Sequence, residues 1–366
     1  MTEQQSPLDR LYVVAQSGGI AAFDLFADGS LTPLADSPFP TGAGTFCVVA
    51  SPDRSRIYVA AGMGLGMPIS LRQTFSPELI TFDVRADGGL ERAATLRLPR
   101  RLTPVSMVVS DDGRNLYLGV GRGPAGFFFG AMAHFRLDEN GIPAMAGVPV
   151  SLGKILDGAA QPIFSPDRKS LYVASVMAKA VVRLAIHADG SLSTPVDRTL
   201  STGLFPITPV FSLDGQFFYV ANEQSATITG FRVGSDGGLT ELPGSPYPTG
   251  KIPHNPVFSK DGRFVYFANT FSDNITGYEV QPDGALVPAP GSPYATPVGP
   301  ATVTRSTDGT WLYLVSSPLF KNGSHVVVTS YRIEQDGSLT PSGHDPALTG
   351  LRFADGPSAI ALPVSS

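Results

Sequence analysis

The chain has 366 residues, 42% of them apolar and only 16% charged, with a formal charge of -5 from 26 basic and 31 acidic side chains. No run of Lys or Arg is dense enough to neutralise several phosphates, which sets nucleic acid aside as a partner. The single cysteine, Cys47, excludes an intrachain disulfide and a cysteine-based zinc site, and no stretch approaches the roughly 18 uninterrupted apolar residues of a membrane-spanning helix.

The N-terminal MTEQQSPLDR is polar and lacks the apolar segment of a secretory signal, so a cytoplasmic, reducing location is expected. One phrase then recurs along the chain: LYVVAQ at 11, IYVAAG at 57, LYLGVG at 116, LYVASV at 171, FYVANE at 218, VYFANT at 265 and LYLVSS at 312. Its tyrosines (Tyr12, Tyr58, Tyr117, Tyr172, Tyr219, Tyr266 and Tyr313) lie 46 to 59 residues apart, and they are seven of the chain's 11. A repeat of that period marks a solenoid or propeller.

Within each unit the elements follow in order. Six copies are preceded by a short β-rich run and a turn containing Asp, as in Ser-Pro-Asp at 51 and 165, which reads as a hairpin. After the phrase comes a third strand closed by Asp-Gly at 28, 87, 189, 236, 283 and 336, or by Asn-Gly at 140. A proline-broken fourth strand follows, as in LTPLADSPFPTG and LTELPGSPYPTG, and proline suits a sheet edge, where no ladder donor is lost. Four strands per unit and seven units predict an all-β fold, a seven-bladed β-propeller of four-stranded antiparallel blades, with 1–366 as one domain. The chain enters at a second strand and ends on PSAIALPV (357 to 364), so the C-terminal strand is expected to complete the blade containing Tyr12 and close the ring.

The hairpins of all blades fall on one face, which collects the variable loops on the other. Insertions at 62–78, 121–131 and 316–325 are expected to roof the channel mouth, with Phe127, Phe128 and Phe129 forming an apolar lid. Gly121, Gly123 and Gly126 spell G-x-G-x-x-G, but no helix follows that could hold a pyrophosphate, so no nucleotide is expected.

Residues at the starts of the inner strands face the mouth. Among them His254 is the leading acid/base candidate, with Asp157, Glu223, Asp273 and Asp355 on adjacent loops able to orient it or to act as bases. The structural alternative is a histidine satisfied by backbone carbonyls between blades. His134, on a third strand, reaches the channel only from its upper end. Asn255 is placed to hold a developing oxyanion, and Arg101, Gln161, Phe205, Asn222, Asn269, Phe271 and Phe128 are the remaining substrate-binding candidates. Cys47, on an inner strand, reads as a buried small hydrophobe. The oxygen-bearing Glu223, Asn222, Asn269 and Asp157 fall near the mouth, but their spacing does not make them converge, so no metal and no other cofactor is expected.

The phrase Tyr-Val-Ala-Asn, with Ser-Pro-Asp before it and Asp-Gly-x-Leu after it, resembles the lactonase-type seven-bladed propellers, a family that includes a 6-phosphogluconolactonase and the fungal carboxymuconate lactonising enzyme. The resemblance covers essentially the whole chain. It implies an enzyme that opens or closes a lactone or related ring of a small organic substrate at the channel mouth. Family members carry His-x-His and Pro-Arg-His before successive hairpins; here Gly158 and Ala160 take the first positions and Pro206, Ile207 and Thr208 the second, and only Pro253-His254 keeps a similar look. With Phe46, Phe205, Phe271 and Met63 expected around the pocket, a less polar substrate is implied. Two other readings stay open: a cofactor-independent cyclase or isomerase acting on an apolar substrate, and a noncatalytic binding scaffold.

Overall fold

The computed structural model describes residues 6–62, 76–122, 128–153, 157–200, 203–297, 299–317, 325–353 and 358–364, without the side chains of 159 and 160. Seven antiparallel sheets stand around one axis. Their inner strands are Ala359–Pro363 in blade 1, Cys47–Ala50 in blade 2, Thr103–Val109 in blade 3, Ala159–Phe164 in blade 4, Pro206–Phe211 in blade 5, Pro253–Phe258 in blade 6 and Pro300–Arg305 in blade 7. Each inner strand touches the next around the whole circle, including Ala359–Pro363 against both Pro300–Arg305 and Cys47–Ala50. The ring is therefore closed, and the closure is the expected one. Ala359–Pro363 pairs antiparallel with Asp9–Val14, with Tyr12 opposite Ile360.

The repeat tyrosine does the same thing in blade after blade. It sits in the second strand, is at most 2% exposed in all seven copies, and a buried phenol needs a hydrogen-bond partner. It finds one in the next blade: Tyr12 donates to the Gly88 carbonyl, Tyr58 to Gly141, Tyr117 to Gly190, Tyr172 to Gly237, Tyr219 to Gly284 and Tyr266 to Gly337. At the seventh junction the Gly29 carbonyl accepts instead from Ser330 Oγ, the residue opposite Tyr313 in the ladder. These acceptors are the glycines of the Asp-Gly turns and, at 141, of the Asn-Gly turn. Gly284 shows why glycine is needed, since its φ is +91° and a Cβ there would lie 2.3 Å from the Phe217 ring.

The first hairpin of each unit is held by its own side chains. Ser51, Ser110, Ser165, Ser212, Ser259 and Ser306 each donate to the aspartate two residues on, whose carboxylate also accepts a backbone N–H. Blade 1 lacks this turn because its inner strand comes from the other end of the chain. There Asp9 instead accepts from the N–H and hydroxyl of Thr307 in blade 7.

Fourth strands are broken in most blades, as expected. At the breaks of blades 1, 5 and 6, the hydroxyls of Ser37, Ser245 and Ser292, each before a cis proline, accept the N–H of Ala22, Gly230 and Gly277, so the ladder stays satisfied. Blades 2 and 4 differ, with the continuous fourth strands Leu90–Arg97 and Leu192–Leu200. The first contains no proline, and the second accommodates Pro195 where its register slips against Leu184. Among the described residues no helix is long and apolar enough to cross a membrane.

Candidate functional site

The face opposite the hairpins is built from two recurring positions. One is the fourth residue after each repeat tyrosine, where the second strand ends: Gln16, Gly62, Gly121, Val176, Glu223, Thr270 and Ser317. In six blades its backbone N–H bonds to a carbonyl just ahead of the inner strand, as Glu223 does to Phe205 and Thr270 to Ile252, both at 3.0 Å. Phe205 and Ile252 hold left-handed φ values of 63° and 56°, and the bond turns the chain from rim to inner strand. The other position is a register slip near the start of the inner strand, seen in blades 3 to 7, which re-aims the side chains there.

His254 and Glu223 occupy these two positions on neighbouring blades, and they meet. His254 Nε2 lies 2.7 Å from Glu223 Oε1, and the Nδ1 nitrogen lies 3.2 Å from Thr270 Oγ1. The Thr270 hydroxyl in turn donates to the Pro300 carbonyl at 2.8 Å, so the cluster spans blades 5, 6 and 7. The histidine side chain is 5% exposed and the glutamate 18%, which makes Glu223 the member that faces outward. The backbone-satisfied alternative for His254 is not what its ring nitrogens show, since both are met by side chains.

Asn255 follows His254 in the slipped segment with a φ of 33°. It is 7% exposed, and neither its amide nitrogen nor its amide oxygen has a partner among the described residues. At the same register level stand Cys47, Ser106, Gln161, Thr208, Thr302 and Ser358, a ring of small polar side chains around the axis. Cys47 Sγ and Ser106 Oγ are 3.8 Å apart across the blade 2 and 3 boundary. Gln161 Oε1, Thr208 Oγ1 and Ser358 Oγ are buried without a partner among the described residues. Burial pushes the Cys47 thiol up to about 11, which fits the small-hydrophobe reading.

Asp157 has partners that the sequence did not suggest. It is fully buried, both carboxylate oxygens accept from Arg198 at 2.7 and 2.8 Å, and Ser175 Oγ donates at 2.7 Å. Arg198 also donates to the Leu152 carbonyl, tying blade 3 to blade 4. A carboxylate so fully engaged is a strut of the rim. Asn222 and Asn269 are also built into the scaffold. The Asn222 amide donates to Thr227 and Thr229, and the Asn269 amide donates to Asn274 and Thr276 while its oxygen accepts from Thr249.

Among the described residues the aromatic candidates stand in different surroundings. Phe46 is buried in the core between blades 2 and 3, and Phe205 packs against the cluster of Tyr172 and Phe218. Phe271 is 52% exposed, Phe128 is half-buried, and Phe129 is stacked under Arg122, 5.5 Å from its ring centre. Arg101 is exposed. Met63, Phe127 and Asp355, the Ala160 side chain and most of the three roofing insertions lie outside the described residues. His134 points away from the channel mouth, stacking on Tyr117 and pairing with Asn115 Oδ1 at 2.8 Å near the hairpin face. Among the described residues no group of three or more His, Cys, Asp or Glu side chains could hold a metal ion.

Residues 146–251 match the family described as Lactonase, 7-bladed beta-propeller. Over those residues the chain is similar to the lactonase-type propellers. Solved structures of the same architecture cover nearly all of it. The periplasmic gluconolactonase of Pseudomonas aeruginosa is 17% identical, with a TM-score of 0.79 over 98% of this chain and 100% of its own. A candidate 6-phosphogluconolactonase from Bacteroides uniformis is 18% identical, with a TM-score of 0.77 over 98% and 99% of the two chains. At these identities the likeness is one of fold. No curated protein matches the sequence of this chain.

Proposed function

We propose that this propeller is a lactone hydrolase whose reaction takes place on the rim of blades 5 and 6. The observation that carries the reading is the His254–Glu223 pair at 2.7 Å, a buried imidazole behind a partly exposed carboxylate on the variable face. The matched family and the lactonases of like fold support ring opening over cyclisation or isomerisation. In this scheme Glu223 takes a proton from water as the water oxygen bonds to the lactone carbonyl carbon. The ring C–O bond then breaks, the proton passes to the departing ring oxygen, and the product is a hydroxy acid. His254 supports the carboxylate from below, and the Asn255 amide, which follows it in the chain and has no partner among the described residues, is the candidate donor to the carbonyl oxygen as charge develops on it.

The polar ring of Gln161, Thr208, Asn255 and Ser358 favours a substrate carrying hydroxyl groups, and the phenylalanines favour an apolar one. Turnover of a panel of γ- and δ-lactones, polyhydroxylated and alkyl, followed by acid release in a weakly buffered solution, tests the proposal. Saturable hydrolysis above the spontaneous rate, lost on Glu223→Gln, is expected. No acceleration with any of them would leave the binding-scaffold reading in its place.

A further inference from the structure

We infer that Thr270 is a positioning residue for this site: its hydroxyl fixes which nitrogen of His254 carries the proton and so places the pair's remaining proton between His254 and Glu223. The inference rests on the reading of the pair as the reactive centre, and its argument is one of proton accounting. A threonine hydroxyl has one hydrogen, and a carbonyl oxygen can only accept. Because Thr270 Oγ1 lies 2.8 Å from the Pro300 carbonyl, its hydrogen is committed there. Toward His254 Nδ1, at 3.2 Å, the same oxygen can then only accept, so Nδ1 bears a hydrogen.

That assignment settles the other side of the ring. With Nδ1 protonated, a neutral imidazole would turn a lone pair toward Glu223 Oε1, and two lone pairs do not approach to 2.7 Å without a proton between them. The pair therefore holds one shared proton, and its imidazolium–carboxylate form is the one that leaves Glu223 able to take a proton from water. The carboxylate cannot swap it for the Nδ1 proton, which Thr270 retains on the far side of the ring. Thr270 is 4% exposed, and its oxygen does not face outward, so its effect on the reaction passes through the histidine.

The repeat places the arrangement in the blades. Glu223 and Thr270 stand at the same position of successive blades, the fourth residue after the tyrosine, and each is held by the same backbone bond. His254, on the inner strand between them, is gripped from both sides by a single repeat position.

The test is Thr270→Val, which keeps the shape and removes the hydroxyl, with Thr270→Ser as the rescue. The expected result for Val is a fall in kcat on the order of 2- to 10-fold, the worth of one net hydrogen bond. KM should stay unchanged, the pH profile should be displaced, and Ser should restore both. A second arm needs no substrate: ¹⁵N spectra of histidine-labelled protein report the protonation of each ring nitrogen of His254, assigned by its loss in His254→Gln. A hydrogen fixed on Nδ1 in the parent and in Ser, but redistributed in Val, supports the inference even if no lactone is turned over. Identical ring-nitrogen signals in parent and Val, or a predominantly Nε2-protonated neutral ring in the parent, would overturn it.

Discussion

The hydroxyl of Tyr219 in blade 5 donates to the carbonyl oxygen of Gly284 in blade 6 across 2.8 Å, and the phenol is completely buried where it does so. Replacing Tyr219 by Phe removes the donor and leaves a buried carbonyl without its partner. The expected cost is about 1–3 kcal/mol, read as a lowered midpoint in urea with little change in slope. An unchanged midpoint would mean that packing alone joins these blades.

Removal of residues 358–366 takes away the inner strand of blade 1, its five register pairs with Asp9–Val14 and the Ser358 carbonyl that accepts from Val14. It also opens the ring between blades 7 and 2. The truncated chain is expected to lose cooperative unfolding and to be cut rapidly by protease within the first blade. Protease resistance equal to the full chain would show that the ring does not need its clasp.

Cys47 is 0% exposed and its thiol is pushed up to about 11 by burial. At pH 8 the native protein should react with a disulfide reagent slower than the guanidinium-unfolded protein, on the order of 100-fold, because the thiolate is the reacting form. Comparable rates would place the thiol in solvent.

Acid should act in two stages. Burial, with the neighbouring Arg136 charge, holds the His134 imidazole below its usual value, so the folded chain resists a proton that the unfolded chain accepts near 6.5. That part of the stability is present above pH 6.5 and declines as the pH falls below it. The Asp53 and Asp167 carboxyls are held down by the hydroxyls of Ser51 and Ser165. Their contribution is intact above the unfolded value of about 3.9 and is lost as the pH falls through their own lower values. The His134 contribution to the urea midpoint should therefore fall near pH 6 and that of the aspartates below 4, and His134→Gln should remove the first contribution alone, as read from the difference between the two proteins at each pH. A difference between the parent and His134→Gln midpoints that does not change between pH 7 and 5 would refute the assignment to His134.

The scaffold was legible because its instructions are short and repeated. A tyrosine at a fixed place in each phrase, an Asp-Gly turn for it to bond, and a terminal strand lacking a hairpin were enough to predict seven blades and their clasp. The site was legible only in part. His254 and Glu223 could be placed on one rim from their positions in the repeat. The engagement of Asp157 by Arg198 could not, since the arginine comes from an outer strand whose reach across the blade leaves no mark in the spacing. Asn222 and Asn269 carry the polar groups of a binding site, yet their partners Thr227, Thr229 and Thr276 draw them into the strand ladder. Thr270 did leave a signal, its shared repeat position with Glu223, but a threonine at the end of a strand draws no notice until the hydroxyl is seen between a histidine and a carbonyl.

The tyrosine-to-glycine bonds and the Ser-Asp turns all belong to the hairpin face. The polar joints that recur from blade to blade are thus concentrated at one end of the molecule, while the Asp157–Arg198, His254–Glu223 and Thr270–Pro300 links at the other are each made once. A substitution or a lengthened loop on the rim can change what meets a ligand while the joints between blades stay as they are. The three insertions all fall there, between second and third strands. Variation of chemistry and preservation of architecture are assigned to opposite ends of the same strands, so a chain of this kind can exchange its rim residues one blade at a time without having to solve the folding problem again.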